Sequence, residues 1–368
     1  MDPNLLNRVL NLAVEIQQIP APTFHEQQRA RFIYERFSAE NLCDISLDNL
    51  GNVYARLPGI GTAPPLVISA HSDTVFPGST PLDIRRDPDK ISGPGIGDNS
   101  TGVAGLFGLL WLLRQQHSPL PGHLWFVANV GEEGLGNLRG MSAVVDRFGE
   151  QVLAYLVLEG LALGQIYHRG LGVRRYRISV QTSGGHSWVD FGRPSAIHEL
   201  AAMINRLVAQ PLSERPRTTM NVGKIGGGTS VNTIASEADL ELDLRSEAVS
   251  SLDDLARWVE AQAQAANRPG VQVAAVVIGE RPPGKIASTH PLIRLARRCL
   301  EEQGIRPNLA IGSTDANIPL SRGLPAICLG LTTGSGAHTQ NEYIHTAPLA
   351  QGLQQLVAVV AGAYHELV

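Results

Sequence analysis

Seven side chains of this 368-residue chain could between them hold divalent cations and move a proton: His71, Asp73, Asp98, Glu132, Glu133, Glu159 and His338. Imidazole with carboxylate, and no cysteine, is a donor set for zinc, with cobalt and manganese as the other ions it suits. One catalytic zinc takes three protein ligands and keeps a position open. His71, Asp98, Glu133, Glu159 and His338 are too many for one ion and enough for two that share a bridging carboxylate. In His71-x-Asp73 both side chains can leave a strand end in one direction, so Asp73 can accept the second ring N–H of His71 and fix its tautomer. Glu132-Glu133 offers one carboxylate to a metal and a neighbour to take a proton from metal-activated water.

Residues so scattered need a scaffold that gathers them at one edge. Short apolar runs alternate with helix-length segments, the rhythm of an α/β fold with a mainly parallel sheet. Residues 66–70, 124–130, 153–158 and 324–331 read as strands. Past their carboxyl ends come His71, Glu132-Glu133, Glu159 and the glycine-rich loop with His338. That edge is where open α/β sheets bind ligands. Residues 1–18 and 102–115 read as helices. The glycine-rich stretch 93–102 follows no apolar strand, and Asp98 would repel a pyrophosphate, so it reads as a turn that delivers Asp98. No Gly-x-Ser-x-Gly elbow or Walker loop is present. The middle differs in texture, with alternating strands at 174–182 and 239–244, an extended segment at 218–222, a final strand at 271–278, and helices at 195–210 and 251–265. These make a small α+β unit with one sheet face covered by helices. The expected division is a catalytic domain of residues 1–172 and 286–368, with 173–285 inserted as a lid or dimerisation domain.

Composition narrows the partners. Thirty Lys and Arg against 34 Asp and Glu give a net charge of −4, and aromatics are 5%, which disfavours a nucleic-acid surface. The longest apolar run, 102–113, stops well short of the ~20 residues of a membrane span. No secretory signal is evident at the N-terminus, so a cytoplasmic protein is expected. Cys43, Cys299 and Cys328 lack any CxxC spacing and read as buried free thiols in a reducing compartment.

Five separated motifs carry a family resemblance. His71-Ser72-Asp73-Thr74-Val75, Gly97-Asp98-Asn99, Gly131-Glu132-Glu133-Gly134, Gly312-Ser313-Thr314-Asp315-Ala316 and Ala337-His338-Thr339-Gln340-Asn341-Glu342 resemble, in order, those of the M20 metallopeptidases. That family includes the peptidase T, carboxypeptidase G2 and aminoacylase groups. The resemblance implies two zinc ions per chain, bridged by Asp98, with His71 and Glu159 on one and Glu133 and His338 on the other. It makes Glu132 the general base and Asp73 the orienter of His71. Gly184-Gly185-His186-Ser187 resembles the motif whose histidine polarises the scissile carbonyl. Asn232 and Arg245 resemble the residues that bind the substrate carboxylate. The implied reaction is amide hydrolysis in small peptides bearing a free α-carboxylate, with N-acyl-amino-acid deacylation as the alternative. The implied assembly is a homodimer paired through a strand of the inserted domain. Two positions depart from the family: Trp188 stands where a small residue is common, and Asn99 where a second Asp is common. His338 is preferred to His345 because it opens the His-x-x-x-Glu pattern to Glu342.

Overall fold

The computed structural model describes residues 2–117 and 119–367; Met1, Ser118 and Val368 lie outside the described residues. The chain divides into two compact units, Met1–Gly170 with Gly284–Val368, and Leu171–Pro283. In chain order the first unit begins with α1 (Pro3–Gln17), α2 (Gln27–Ala39), β1 (Cys43–Leu47), β2 (Val53–Leu57), β3 (Ala63–His71) and α3 (Gly102–Gln116). It continues with β4 (Gly122–Asn129), α4 (Arg139–Phe148), β5 (Ala154–Glu159) and β6 (Gln165–Gly170). The second unit holds β7 (Gly172–Thr182), α5 (Ala196–Val208), β8 (Thr218–Gly227), β9 (Glu237–Ser246), α6 (Val249–Ala265) and β10 (Val271–Arg281). The first unit then closes with β11 (Gly284–Lys285), α7 (Pro291–Glu302), β12 (Asn308–Gly312), α8 (Asn317–Ser321), β13 (Ala326–Gly330) and α9 (Pro348–Glu366).

The first unit is an α/β fold around a nine-stranded sheet in the order β1-β2-β4-β3-β5-β13-β6-β11, with β12 also on β6. Its centre, β4-β3-β5-β13, is parallel; the flanking pairs β1-β2, β2-β4, β13-β6 and β6-β11 are antiparallel, while β12 runs parallel to β6. A parallel centre covered on both faces explains why β3 and β5 read as unbroken apolar runs. Register aligns the carboxyl ends: His71 pairs with Asn129 and Glu159 with Gly330. Helix α3 is buried from Gly102 to Leu113 and packs on β3, α1 and α9. An apolar surface all round is what such a central helix requires. Helix α1 starts where Asp2 accepts the Asn4 N–H and Pro3 takes the first turn. No helix among the described residues is long and apolar enough to cross a membrane. One thiol differs from expectation: Cys43, on the outer strand β1, is exposed, while Cys299 and Cys328 are buried.

The second unit is an antiparallel sheet, β8-β9-β7-β10. Tyr176, Ile178, Val180, Leu240, Leu242 and Leu244 form a core with residues of α5 and α6 such as Leu200, Met203, Leu252 and Val259. Between them Arg175, Arg177 and Ser179 take the other face, the alternation of a sheet covered on one side.

Candidate metal centre

His71 is the last residue of β3 and is 2% exposed. Its Nδ1 lies 3.1 Å from the main-chain carbonyl of Asp73 and 3.5 Å from the Asp73 carboxylate, so the carbonyl is the nearer partner of that nitrogen. The carboxylate has a second task. Its Oδ1 accepts the N–H of Glu132 at 3.0 Å, and its Oδ2 accepts the N–H of Glu133 at 2.9 Å and the Thr23 hydroxyl at 2.9 Å. Asp73 therefore fixes the backbone of the acid pair that follows β4. Burial works against its charge, but His71 and the two N–H groups hold its carboxyl below the usual range.

Asp98 comes from the loop before α3, which folds around a carboxylate the sequence did not single out as a clamp. Glu342, fully buried, accepts the N–H of Gly95 at 3.0 Å, Gly97 at 2.6 Å and Asp98 at 2.7 Å. Burial pushes its carboxyl up to about 7 despite these donors. Asn99 ties the same loop to the end of β5. Its Nδ2 donates to Leu158 O at 2.8 Å, and its Oδ1 accepts the N–H groups of Gly160 (2.8 Å) and Gly102 (3.1 Å). An Asp here would have no donor for Leu158, which gives the departure at position 99 a structural reason. Gly160 permits the approach: a Cβ on it would lie 2.0 Å from Gly97 O.

These elements converge on one cluster. Asp98 Oδ1 is 3.1 Å from His71 Nε2, and its Oδ2 is 3.1 Å from His338 Nε2. Glu159 Oε2 lies 3.7 Å from His71 Nε2, and Glu133 Oε1 lies 3.1 Å from His338 Nε2. The ligand atoms of His71, Asp98 and Glu159, and those of Asp98, Glu133 and His338, form two groups within 4.8 Å, sharing Asp98. Glu132, itself buried, is in neither group. Histidine and carboxylate oxygens gathered this closely are the donor chemistry of a divalent metal.

The Asp98 and Glu133 carboxylates push His338 up to about 10. Burial alone would lower His71, yet Asp73, Asp98 and Glu159 hold it well above its ordinary value. Burial raises the Glu159 carboxyl, whereas both histidines hold Asp98 well below the carboxylate range against its burial. His345 is turned to Thr333, 2.9 Å from Nδ1, and His168 is buried with Nδ1 2.9 Å from Ile286 O. Neither joins the cluster. Asp315, in the fourth of the five motifs, is a further buried acid: its Oδ2 accepts from Asn129 Nδ2 at 2.7 Å, and burial pushes it up to about 7.

The remaining expected site residues lie in the second unit. His186 pairs with Thr233 across the short strands, and Ser187 N–H donates to Asn232 O at 3.0 Å, so the His186 and Asn232 motifs meet. They follow Thr182, at the far end of β7. Arg245 does not join them. It pairs with Val173 at the start of β7, nine residues before Thr182, roughly 30 Å away at about 3.3 Å per residue. There its Nε donates to Asp243 at 2.7 Å.

The family model described as Peptidase family M20/M25/M40 matches residues 67–362. The uncharacterized protein YqjE of Bacillus subtilis is 24% identical over 375 residues, 97% of this chain and 98% of its own length. A tripeptidase from Staphylococcus aureus shares the fold with a TM-score of 0.81 at 23% identity, over 98% of this chain and 99% of that one. Aminopeptidase PepT from Bacillus cereus does so with a TM-score of 0.77 at 23% identity, over 97% and 98%. A match that spans every residue of the cluster, on this fold, settles the family: the chain belongs to the M20/M25/M40 peptidases and is a hydrolase.

Proposed function

We propose that the protein is a two-metal amide hydrolase acting on small peptides with a free α-carboxylate, with zinc as its ion. The observation that carries this reading is Asp98, each of whose oxygens faces a different histidine at 3.1 Å. His71 and Glu159 would hold one ion and Glu133 and His338 the other. Bound there, the ions supply Lewis-acid polarisation of a carbonyl and make water acidic enough to be deprotonated near neutral pH. Glu132 takes that proton on its carboxylate and returns it to the leaving amine. Supporting this role, Glu132 stands outside both ligand groups while Asp73 holds its main chain. The solved structures that the chain resembles include a tripeptidase and an aminopeptidase, which favours peptides over N-acyl amino acids.

A free α-carboxylate is what a planar guanidinium recognises by paired hydrogen bonds. Arg245 is assigned that task. Amidated or esterified peptides should be cleaved about 100-fold more slowly than free ones, and Arg245→Ala should erase the difference, at ~1.4 kcal/mol per tenfold. Equal cleavage of blocked and free peptides by the unaltered enzyme would overturn the assignment. A panel that adds N-acetyl and N-succinyl amino acids separates peptidase from deacylase.

Metal binding should release protons. His338, at about 10, carries a proton near pH 7.5 that an ion must displace, and His71, held above its ordinary value by Asp73, Asp98 and Glu159, shifts the balance in the same direction. Lower pH favours the protonated, metal-free rings, so affinity falls as pH falls and grows with pH toward about 10. The slope should approach tenfold per pH unit for each proton released, His338 supplying at least one. Calorimetry in buffers of different ionisation enthalpy reads that number, and a heat independent of buffer would contradict it.

The second unit supplies the argument for assembly. A tripeptide spans about 10 Å, far less than the roughly 30 Å between the Asn232 and Arg245 ends of one sheet. If both ends serve one substrate, two chains must contribute, which supports a homodimer in which the inserted unit acts across subunits.

A further inference from the structure

His186 opens a tight turn whose main chain grips its ring. Nδ1 faces the backbone N–H groups of Trp188 at 3.2 Å and Val189 at 3.4 Å. Backbone N–H can only donate, so Nδ1 is the accepting nitrogen and the proton of the neutral ring sits on Nε2. Asp190 closes the turn that aims those donors. Its Oδ2 accepts the His186 N–H at 2.8 Å, its own N–H donates to the His186 carbonyl at 2.9 Å, and its Oδ1 pairs with Arg193 Nη2 at 2.8 Å. Gly185 leaves room for this, since a Cβ there would lie 2.7 Å from Asp190 Oδ2. Apolar packing does not hold the turn, because Trp188, Val189 and Phe191 are 76–90% exposed. Hydrogen bonds centred on Asp190 do.

We propose that Asp190 is a positioning residue that locks His186 as the Nε2–H tautomer, a neutral donor directed at the substrate. The catalytic half of this inference rests on the proposed amide hydrolysis and on the role that the family resemblance implies for His186, donation to the scissile carbonyl oxygen. A donor held in place before charge develops on that oxygen is worth more than one that must reorient. Position 190 thus acts on the reaction through His186 without touching substrate.

The test uses the full chain with isotopically labelled histidine, the His186 signals being assigned by their loss in His186→Ala. The unaltered protein should show an unprotonated Nδ1 and a protonated Nε2. Asp190→Asn, which keeps an oxygen for the His186 N–H, should preserve that pattern, whereas Asp190→Ala should give a mixture of tautomers. On a peptide substrate Asp190→Ala should lower kcat about tenfold with KM within about threefold, and Asp190→Asn should restore most of it. In a His186→Ala background the same Asp190→Ala change should alter kcat by less than about twofold, since both act through one donor. A native ring protonated on Nδ1, or an Asp190→Ala ring that keeps the single Nε2–H tautomer, overturns the proposal. If His186→Ala leaves kcat unchanged while the ring behaves as described, the proposed function fails and the positioning by Asp190 stands.

Discussion

Glu132→Gln is expected to lower kcat by about three orders of magnitude, within the range for loss of a general base, while metal content stays at about two ions per chain. Gln keeps the shape of Glu but accepts no proton at neutral pH. The substitution leaves intact the bond from the residue 132 N–H to Asp73 Oδ1, which fixes the loop at 3.0 Å. It also leaves both ligand groups complete, because neither includes Glu132. Glu133→Gln should behave in the opposite way. Its carboxylate lies 3.1 Å from His338 Nε2 and belongs to the group shared with Asp98, so metal should be lost along with turnover. Two adjacent residues of the same type would then be separated by metal analysis alone. Equal metal loss in both variants would show that the roles are wrongly divided.

The division between these two glutamates, Glu133 as ligand and Glu132 as base, comes from the donor set and the family resemblance, whereas what positions the pair is not legible in the sequence, and the reason is physical. Side-chain type and position after an apolar run are local, and β3, β4, β5 and β13 announce themselves because a buried parallel centre demands unbroken apolar stretches. His71, Glu133, Glu159 and His338 follow from those strands at once. What holds them in place is not local. Glu342 clamps the Asp98 loop from more than 240 residues away, and a buried acceptor of three N–H groups looks in sequence like any loop glutamate. Asn99 reads as a departure until its amide is seen bridging Leu158, Gly160 and Gly102. The edge strands β1 and β2 and the returning helices α7 and α9 were not singled out, although α7 buries a clear stripe through Leu292, Leu295, Ala296 and Cys299. The largest gap concerns Asn232 and Arg245. Nothing in their types reveals that strand register carries them to opposite ends of one sheet.

That separation makes a mixing experiment decisive. His186→Ala and Arg245→Ala should each be nearly inactive as pure proteins, since loss of a donor to the developing oxyanion costs about two to three orders of magnitude and loss of the α-carboxylate contact about 100-fold. Mixed in equal amounts under conditions that exchange subunits, they should recover about a quarter of the native activity toward a free peptide. Random pairing makes about half of the dimers mixed, and each mixed dimer assembles one intact site out of two. The recovery does not depend on which group crosses over. A second mixture, His186→Ala with Glu132→Gln, identifies it. Recovery there means that the histidine serves the partner's Glu132, as expected if the Asn232 end of the second unit reaches across. Failure there, with recovery in the first mixture, would assign the crossing to Arg245 instead. No recovery in either mixture despite demonstrated exchange would mean that each chain completes its own site, and the shared-site homodimer would be wrong.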